Sequence, residues 1–232
     1  MISLGTKSLA FPVDTFILHI NNLHLPLRTI SNNKKVKVIF GDDELNIEPA
    51  IARILKESGC DVLNGDQVHL AGHVLTDKFM AVDDCVTFKN WARHYGYTDQ
   101  HLDDVLMKAH RLFILYLASK EEVMPELIAS VVERWDIYNN PVESRREEIR
   151  ILADFWLKNP DIFKRWVLWY KSRTYDPGGA PDLFAWDRAK NEWAWFEVKS
   201  IGDSIRGNQW EWIWGFCENV AQDVGIVRVL PK

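Results

Sequence analysis

The fold is decided by two neighbouring pieces, Gly178-Gly179-Ala180-Pro181-Asp182-Leu183-Phe184-Ala185-Trp186 and Trp195-Phe196-Glu197-Val198-Lys199. Both are short and apolar, which is typical of strands. The segment 187–191 between them is polar and suits a tight turn. We therefore expect a β-hairpin in the C-terminal third of the chain.

Three charged side chains of this hairpin are expected on one face of the sheet. Side chains alternate along a strand, so Glu197 and Lys199 share a face while Val198 points to the other. Asp182 begins the first strand and joins them there if the strands pair. Carboxylate oxygens bind hard cations such as Mg²⁺, and a bound cation polarises a phosphoryl oxygen and lowers the pKa of its water. The pattern therefore predicts phosphodiester hydrolysis; the alternative is a salt bridge at a sheet edge.

The string resembles the PD-(D/E)xK nucleases, and within them the VRR-NUC group that includes the Fanconi-associated nuclease. That group has G-x-P-D, an apolar strand, E-V-K, a polar turn with Asp, and a Gln that opens the next helix. Asp203 and Gln209 fill the last two places, and the close match covers residues 178–216. The resemblance implies a DNA nuclease of repair or recombination that acts on branched DNA such as flaps or junctions.

The resemblance also implies roles for individual residues. Asp182 and Glu197 bind Mg²⁺ or Mn²⁺, and the backbone carbonyl of Val198 is a further ligand. Lys199 positions or activates the attacking water. Gln209 lies on the inward side of its helix, where it orients the lysine, its water or a phosphate; a purely structural role is the alternative.

The metal site also requires a carboxylate from far upstream, and two candidates remain open. Glu48 lies in the first turn of a helix that we expect to end at Gly59, on the apolar stripe of Ile51 and Leu55. It is either an acid that faces the metal or a first-turn acid that stabilises the helix end. Asp66 is the nearest match to a Glu that follows this helix in the Fanconi-associated nuclease, and we place Glu48 slightly ahead of it.

The length of 232 residues indicates one domain over residues 1–232, or one domain with a large insertion, and the resemblance implies that it is a nuclease domain. The hydrophobic fraction of 47% is ample for a packed core, and the net charge of −5 gives no global basic signature. DNA would therefore be bound by a local basic strip. The three cysteines form no disulfide or zinc pattern. We expect an intracellular, cytoplasmic protein (nucleoid-associated if bacterial) with no membrane partner.

The order of elements favours an α/β restriction-endonuclease-like core, with a central mixed sheet flanked by helices and a large helical insertion. We expect N-terminal strands in 1–40, the first core helix and strand in 41–85, and the insertion in 86–172. The catalytic hairpin, a helix and the last strand follow in 173–232. The Fanconi-associated nuclease has a helical insertion at the corresponding place.

Basic residues near the hairpin are candidates for phosphate contacts: Lys171, Arg173 and Arg206. Ordinary solvated surface charge is the alternative for each. His69, His73 and Asp77 recur at a spacing of four residues and form a weak metal-binding pattern if that segment is helical.

Two other functions are compatible with this sequence. One is a restriction-like or mobile-element nuclease with the same site and another substrate. The other is a catalytically silent protein that binds nucleic acid or a protein partner. A homodimer is compatible with the resemblance, because junction-cutting relatives form dimers, but no residue pattern specifies one.

Overall fold

A computed structural model describes residues 9–13, 16–27, 29–32, 35–40, 42–75, 89–90, 92–138, 143–173, 178–200, 203–221 and 224–231. The chain divides into two compact units. The first joins Met1–Asp66 to Tyr175–Lys232, and the second is Gln67–Thr174. The second unit is therefore inserted, in sequence order, into the first.

The described part of the first unit begins with five strands and then mixes strands with helices. Its elements are β1 (Leu9–Val13), β2 (Phe16–Leu27), β3 (Thr29–Asn32), β4 (Lys35–Phe40), β5 (Asp43–Asn46), α1 (Ile47–Glu57), β6 (Asp61–Asn64), the start of α2 (Gly65–Leu75), β7 (Leu183–Asp187), β8 (Glu192–Lys199), α7 (Gly207–Asn219) and β9 (Val224–Pro231). Strands β1, β2, β9, β8, β7 and β6 form a sheet in that order, and β3, β4 and β5 form a smaller one. The larger sheet is mixed, because β9 pairs in parallel with β2 and β8 whereas its other pairs are antiparallel.

The hairpin expected from the sequence is confirmed as β7 and β8, which pair with Leu183 opposite Phe196. Its turn is built by local hydrogen bonds. Asp187 Oδ1 accepts the backbone N–H groups of Ala189 and Lys190, at 3.0 and 3.1 Å. This is the turn that an aspartate makes with its own following backbone.

Helices cover both faces of the hairpin because its side chains alternate. Leu183, Ala185, Phe196 and Val198 join the core of α1, with Ile51 and Leu55. On the other face an aromatic cluster packs against α7. In it Trp195 contacts Phe184 and Trp212, with ring centroids 5.4 and 4.9 Å apart. Each large apolar side chain buried in this way contributes about 1.5–3 kcal/mol to stability. The layered α/β architecture is therefore confirmed.

The second unit is helical in its described part. It holds the rest of α2, then α3 (Asp99–Leu117), a short 3-10 turn (Glu121–Val123), α4 (Met124–Tyr138), α5 (Glu143–Lys158) and α6 (Pro160–Ser172). The Thr98 hydroxyl caps α3 by accepting the His101 N–H. Trp156, Phe163 and Trp166 are fully buried and pack edge to face. The predicted helices are confirmed, whereas the division into segments at residues 85 and 172 stays a prediction.

Candidate active site

The four C-terminal residues singled out in the sequence meet at one end of the hairpin. Asp182 directly precedes β7, and its Oδ2 accepts the Val198 N–H at 2.7 Å. Glu197 Oε1 accepts Gln209 Nε2–H at 2.5 Å and also contacts the Lys199 ammonium group. The antiparallel register explains the meeting, because Leu183 opposite Phe196 places Asp182 beside Glu197.

Glu197 is a carboxylate with no exposure to solvent. Its Oε2 is buried and has no hydrogen-bond partner among the residues that the structure describes. Burial is the main reason that its pKa is raised to about 7, and the charge of Asp182 adds to this. Lys199 and Gln209 act in the opposite direction. A buried carboxylate with one unsatisfied oxygen is costly, so this group is suited to a cation.

The charged form of Asp182 is destabilised in a similar way. Burial raises its pKa, and the negative charge of Asp66 acts in the same direction. The Val198 N–H and the positive charges of Lys199 and Arg206 lower the pKa again. The two carboxylates thus share a site in which bringing both to full charge is unfavourable without a further positive charge.

Glu48 is exposed at its place in the first turn of α1, whereas Ile51 and Leu55 are buried. The expectation that it faces the core is wrong. Helical side chains point toward the N-terminus, so a first-turn residue reaches beyond the helix end. Partial burial of its carboxyl raises the pKa of Glu48, as does the charge of Asp182. Glu48 is therefore directed to the neighbourhood of Asp182, at the surface.

Asp66 is brought to the same place by a backbone contact. The Gly65 N–H donates to the Asp182 carbonyl at 2.8 Å, so α2 begins against the start of β7. A Cβ at Gly65 would lie 1.7 Å from the Pro181 carbonyl oxygen, which only glycine avoids. Asp66 follows directly and raises the pKa values of Asp182 and Glu48. The structure therefore keeps both upstream candidates, and no local sequence pattern indicates the need for glycine at position 65.

Gln209 is held at both ends of its amide. Its Oε1 accepts the Arg206 N–H at 2.9 Å, while its Nε2 donates to Glu197. Gly179 packs against this helix start, where a Cβ would lie 2.6 Å from the Asn208 carbonyl oxygen. Its φ of +84° also favours glycine. The helical period predicts an inward amide, and the structure identifies its partner as Glu197.

The donor set suits a hard divalent cation. Asp182 and Glu197 offer carboxylate oxygens, and the unpartnered Oε2 of Glu197 is an available ligand atom. In the described part of the chain, no three His, Cys, Asp or Glu side chains converge closely enough to hold a metal ion. A cation would therefore rely on the Asp182–Glu197 pair together with backbone oxygen or a side chain that adjusts.

The remaining predicted residues are the basic candidates for phosphate contacts. Arg206 is exposed at the N-cap of α7, and its charge acts on Asp182. In the second unit Lys171 is exposed, and the Arg173 guanidinium lies 4.7 Å from the Trp169 ring centroid.

The histidine pattern is only partly described. His69 and His73 lie one turn apart in α2, with their Nε2 atoms 3.3 Å apart. His69 Nδ1 lies 2.6 Å from the Tyr170 hydroxyl oxygen. Asp77 lies outside the described residues. The two histidines and the tyrosine therefore form a hydrogen-bonded chain inside the helical unit.

Along the described residues, no helix is both long enough and apolar enough to cross a membrane. Comparison with known proteins finds no matching family model and no matching curated sequence.

Solved structures do match. A crystal structure of paFAN1 bound to DNA with a two-nucleotide 5′ flap and a gap superposes with a TM-score of 0.54 and 17% sequence identity. The match covers 98% of this chain and 39% of that chain, so this chain spans well under half the length of that one. Another paFAN1 structure, bound to DNA with a one-nucleotide 5′ flap and a gap, gives a TM-score of 0.44 at 16% identity, over 92% of this chain and 38% of that one.

At this level of identity the first match establishes the fold alone. Together with the mixed sheet between α1 and α7, it shows that the chain shares the fold of that part of paFAN1, with a restriction-endonuclease-like core.

Proposed function

We propose that this protein is a metal-dependent nuclease that hydrolyses phosphodiester bonds in DNA. One observation carries the proposal: Glu197 is fully buried, and its Oε2 has no partner among the described residues although Asp182 and Lys199 lie beside it. An ion pair that serves stability alone would satisfy both oxygens, because leaving one unpaired in the interior is costly. A divalent cation bound there would satisfy this oxygen.

Mg²⁺ or Mn²⁺ would be held by Asp182, Glu197 and the Val198 carbonyl, with Glu48 or Asp66 as the further acid. When bound, the ion would polarise the phosphoryl oxygens and lower the pKa of the water that it binds. Gln209 orients Glu197 by occupying Oε1, which leaves Oε2 for the ion. The backbone N–H of Val198 orients Asp182 in the same way.

The proposed role of Lys199 is to align the attacking water. Its ammonium group contacts Glu197 Oε1, and its side chain is only 11% exposed. An ammonium group carries three donors, so two remain for a water oxygen or a non-bridging phosphate oxygen. Lys199 thus aligns the nucleophile and neutralises the charge that develops on the phosphorane.

Flap or junction DNA is the proposed substrate, in repair or recombination. Support comes from the fold, because paFAN1 was crystallised with flap DNA. Arg206 is a proposed phosphate contact close to the carboxylates, because its charge lowers the pKa of Asp182. Lys171 and Arg173 remain proposed contacts in the helical unit. An overall charge of −5 requires such contacts to be local.

The direct test is cleavage of matched linear, 5′-flapped and four-way DNA by purified protein with Mg²⁺ or Mn²⁺. We expect cutting of the branched substrates that Lys199→Ala abolishes. Lys190→Ala, which removes a lysine from the turn at the other end of the hairpin, is the matched control. The proposal is wrong if no substrate is cut by the unmodified protein, or if Lys199→Ala cuts as well as it does. Preferential cutting of one linear sequence would favour the restriction-like alternative.

Metal binding separates the nuclease from a catalytically silent fold. We expect Mn²⁺ titration by calorimetry to give a site that the Asp182→Asn and Glu197→Gln variants lose. A protein that binds DNA but no Mn²⁺ would be the silent alternative.

A further inference from the structure

We propose that Arg228 binds a phosphate group of the nucleic-acid substrate beside the one that Lys199 contacts. The inference rests on the proposed function and adds a residue that the sequence motif does not contain. It would make β9 a part of the substrate site as well as of the sheet.

The register of the sheet places Arg228 next to Lys199. Strands β8 and β9 are parallel, with Lys199 opposite Arg228 and Val198 opposite Val227. Val198 and Val227 both lie in the core of α1, on one face. By alternation Arg228 and Lys199 share the other face, which is the face of Glu197. Neighbouring strands are about 4.8 Å apart, so the two cationic side chains start from adjacent positions.

Arg228 departs from the character of its own strand. Val224, Ile226, Val227 and Val229 are all buried, whereas Arg228 is partly exposed. An arginine amid buried positions must carry its head to a polar partner or to solvent. That head is therefore directed out along the catalytic face.

The guanidinium group has spare capacity for an anion. Its Nη1 donates to the Asp203 backbone carbonyl at 3.0 Å, and within the described residues it forms no ion pair. The carboxylate of Asp203 is engaged instead by the Ser200 N–H at 3.0 Å and by the Ser200 hydroxyl. A guanidinium group has five N–H donors, so most of them remain available. Arginine uses two such donors at once to bind a phosphate in a bidentate contact.

The contact with Asp203 also gives the guanidinium a defined place. Asp203 lies in the segment that leads from Lys199 to the N-cap of α7 at Arg206. One donor thus anchors Arg228 to the segment that follows Lys199, and the proposal assigns the others to a phosphate. The alternative is that Arg228 only braces this segment, and the experiment must separate the two roles.

Arg188 provides a matched control in the same hairpin. It is also a partly exposed arginine, but it is ion-paired with Asp61 at the turn end and stacks over the Trp186 ring at 4.8 Å. Arg188→Gln removes the same charge as Arg228→Gln, away from the candidate site.

The test combines protein and DNA substitutions. Binding of flapped DNA is measured without divalent metal, using DNA in which one phosphate at a time is replaced by a neutral methylphosphonate. We expect Arg228→Gln to weaken binding by about tenfold, as for a charged hydrogen bond, and to reduce the salt slope by about 1. One methylphosphonate near the cut position should weaken binding to the unmodified protein similarly and cost Arg228→Gln nothing further. Arg188→Gln should keep that methylphosphonate penalty in full.

If Arg228 only stabilises the segment that contains Asp203, the methylphosphonate penalties on binding would differ from those expected above. If each methylphosphonate costs Arg228→Gln as much as it costs the unmodified protein, the assignment of Arg228 is wrong, and normal metal-dependent cleavage by the unmodified protein would leave the nuclease proposal standing. If one methylphosphonate weakens binding to the unmodified protein and not to Arg228→Gln, but no DNA is cut, then Arg228 binds phosphate and the nuclease proposal fails. Arg228→Lys keeps the charge and serves if the glutamine variant does not fold: it should retain the same position-specific penalty, and its absence overturns the assignment.

Discussion

The two ends of the β7–β8 hairpin carry similar residues in opposite states. At the turn end, Asp187 accepts two backbone N–H groups and pairs with Lys190 at 3.0 Å, and these contacts lower its pKa. At the open end, burial raises the pKa values of Asp182 and Glu197 although Lys199 is in contact. An acid and a lysine are present at both ends, so charge composition does not explain the difference.

Hydrogen-bond donors explain the difference. At the turn, the Lys190 ammonium group and two backbone N–H groups favour the charged carboxylate of Asp187. The open end buries Glu197, and one of its oxygens lacks a donor among the described residues. The charged carboxylate is therefore stabilised at the turn end and destabilised at the open end. Perturbed carboxylates of this kind are typical of functional sites. Substitutions at the two ends should have opposite signatures.

The largest expected effect is on cleavage. Asp182→Asn and Glu197→Gln should each lower the single-turnover rate by at least about 10²–10³-fold, because each removes a charge from the reacting centre. The measurement is cleavage of flapped DNA at saturating Mg²⁺.

Asp187→Asn is the control for that measurement and should change the rate by less than about threefold, as for a site that substrate does not touch. Equal losses at the two ends would break the distinction between them.

A smaller loss is expected when the support of Glu197 is removed. Gln209→Ala should reduce activity by about 10–100-fold, with weaker Mn²⁺ affinity, because it deletes the donor that fixes Glu197 Oε1. The comparison is Asn219→Ala at the far end of α7, whose side chain donates to the Gly215 carbonyl of its own helix. If Mn²⁺ affinity is unchanged in Gln209→Ala, the amide does not orient a metal ligand.

Backbone geometry gives a stability contrast. Gly179→Ala should lower the free energy of unfolding by about 2–4 kcal/mol, since it combines a positive φ with a clash against the Asn208 carbonyl. Gly178→Ala, with a φ of +68° and open space around a Cβ, should cost only about 1 kcal/mol. Denaturant unfolding measures both. Similar values would mean that α7 does not pack closely on Gly179.

The pH dependence of stability gives a further contrast. Glu197 has an ordinary pKa of 4.5 and a folded-state pKa of about 7. The stability that comes from holding its proton is present below pH 4.5 and is lost as the pH rises through 7. Without metal, Glu197→Gln should therefore be more stable than the unmodified protein at pH 8, with a free energy of unfolding higher by on the order of 3 kcal/mol at most. Its melting temperature should be higher accordingly. The difference should vanish near pH 4.

Asp187→Asn should behave in the opposite way. Its pKa is lowered in the folded state, so its stabilising contribution is present above the ordinary pKa and is lost as the pH falls through the lowered one. The asparagine variant should thus melt lower at pH 7 and approach the unmodified protein in acid. Melting curves of both variants from about pH 2 to 8 without metal provide the check, and variants that shift in the same direction would contradict it.

The hairpin could be predicted from sequence because its information is local. An alternation of period two places Glu197 and Lys199 on one face whatever the rest of the chain does. The helical unit was recognisable for the same reason, since the period of Leu102, Val105 and Leu106 is written along α3. The exposure of Glu48 was missed because periodicity says which side of a helix a residue takes and not whether anything covers the helix end.

By itself, then, the sequence determined the hairpin, its three charged residues and the inward amide of Gln209, all of which follow from backbone periods. Tertiary structure decided what meets them. The Gly65–Asp182 hydrogen bond brings Asp66 to the hairpin across the inserted helical unit, and the parallel register of β8 and β9 places Arg228 beside Lys199 across the α7 crossover. Contacts between distant segments depend on how helices and strands pack, and no local pattern encodes that register.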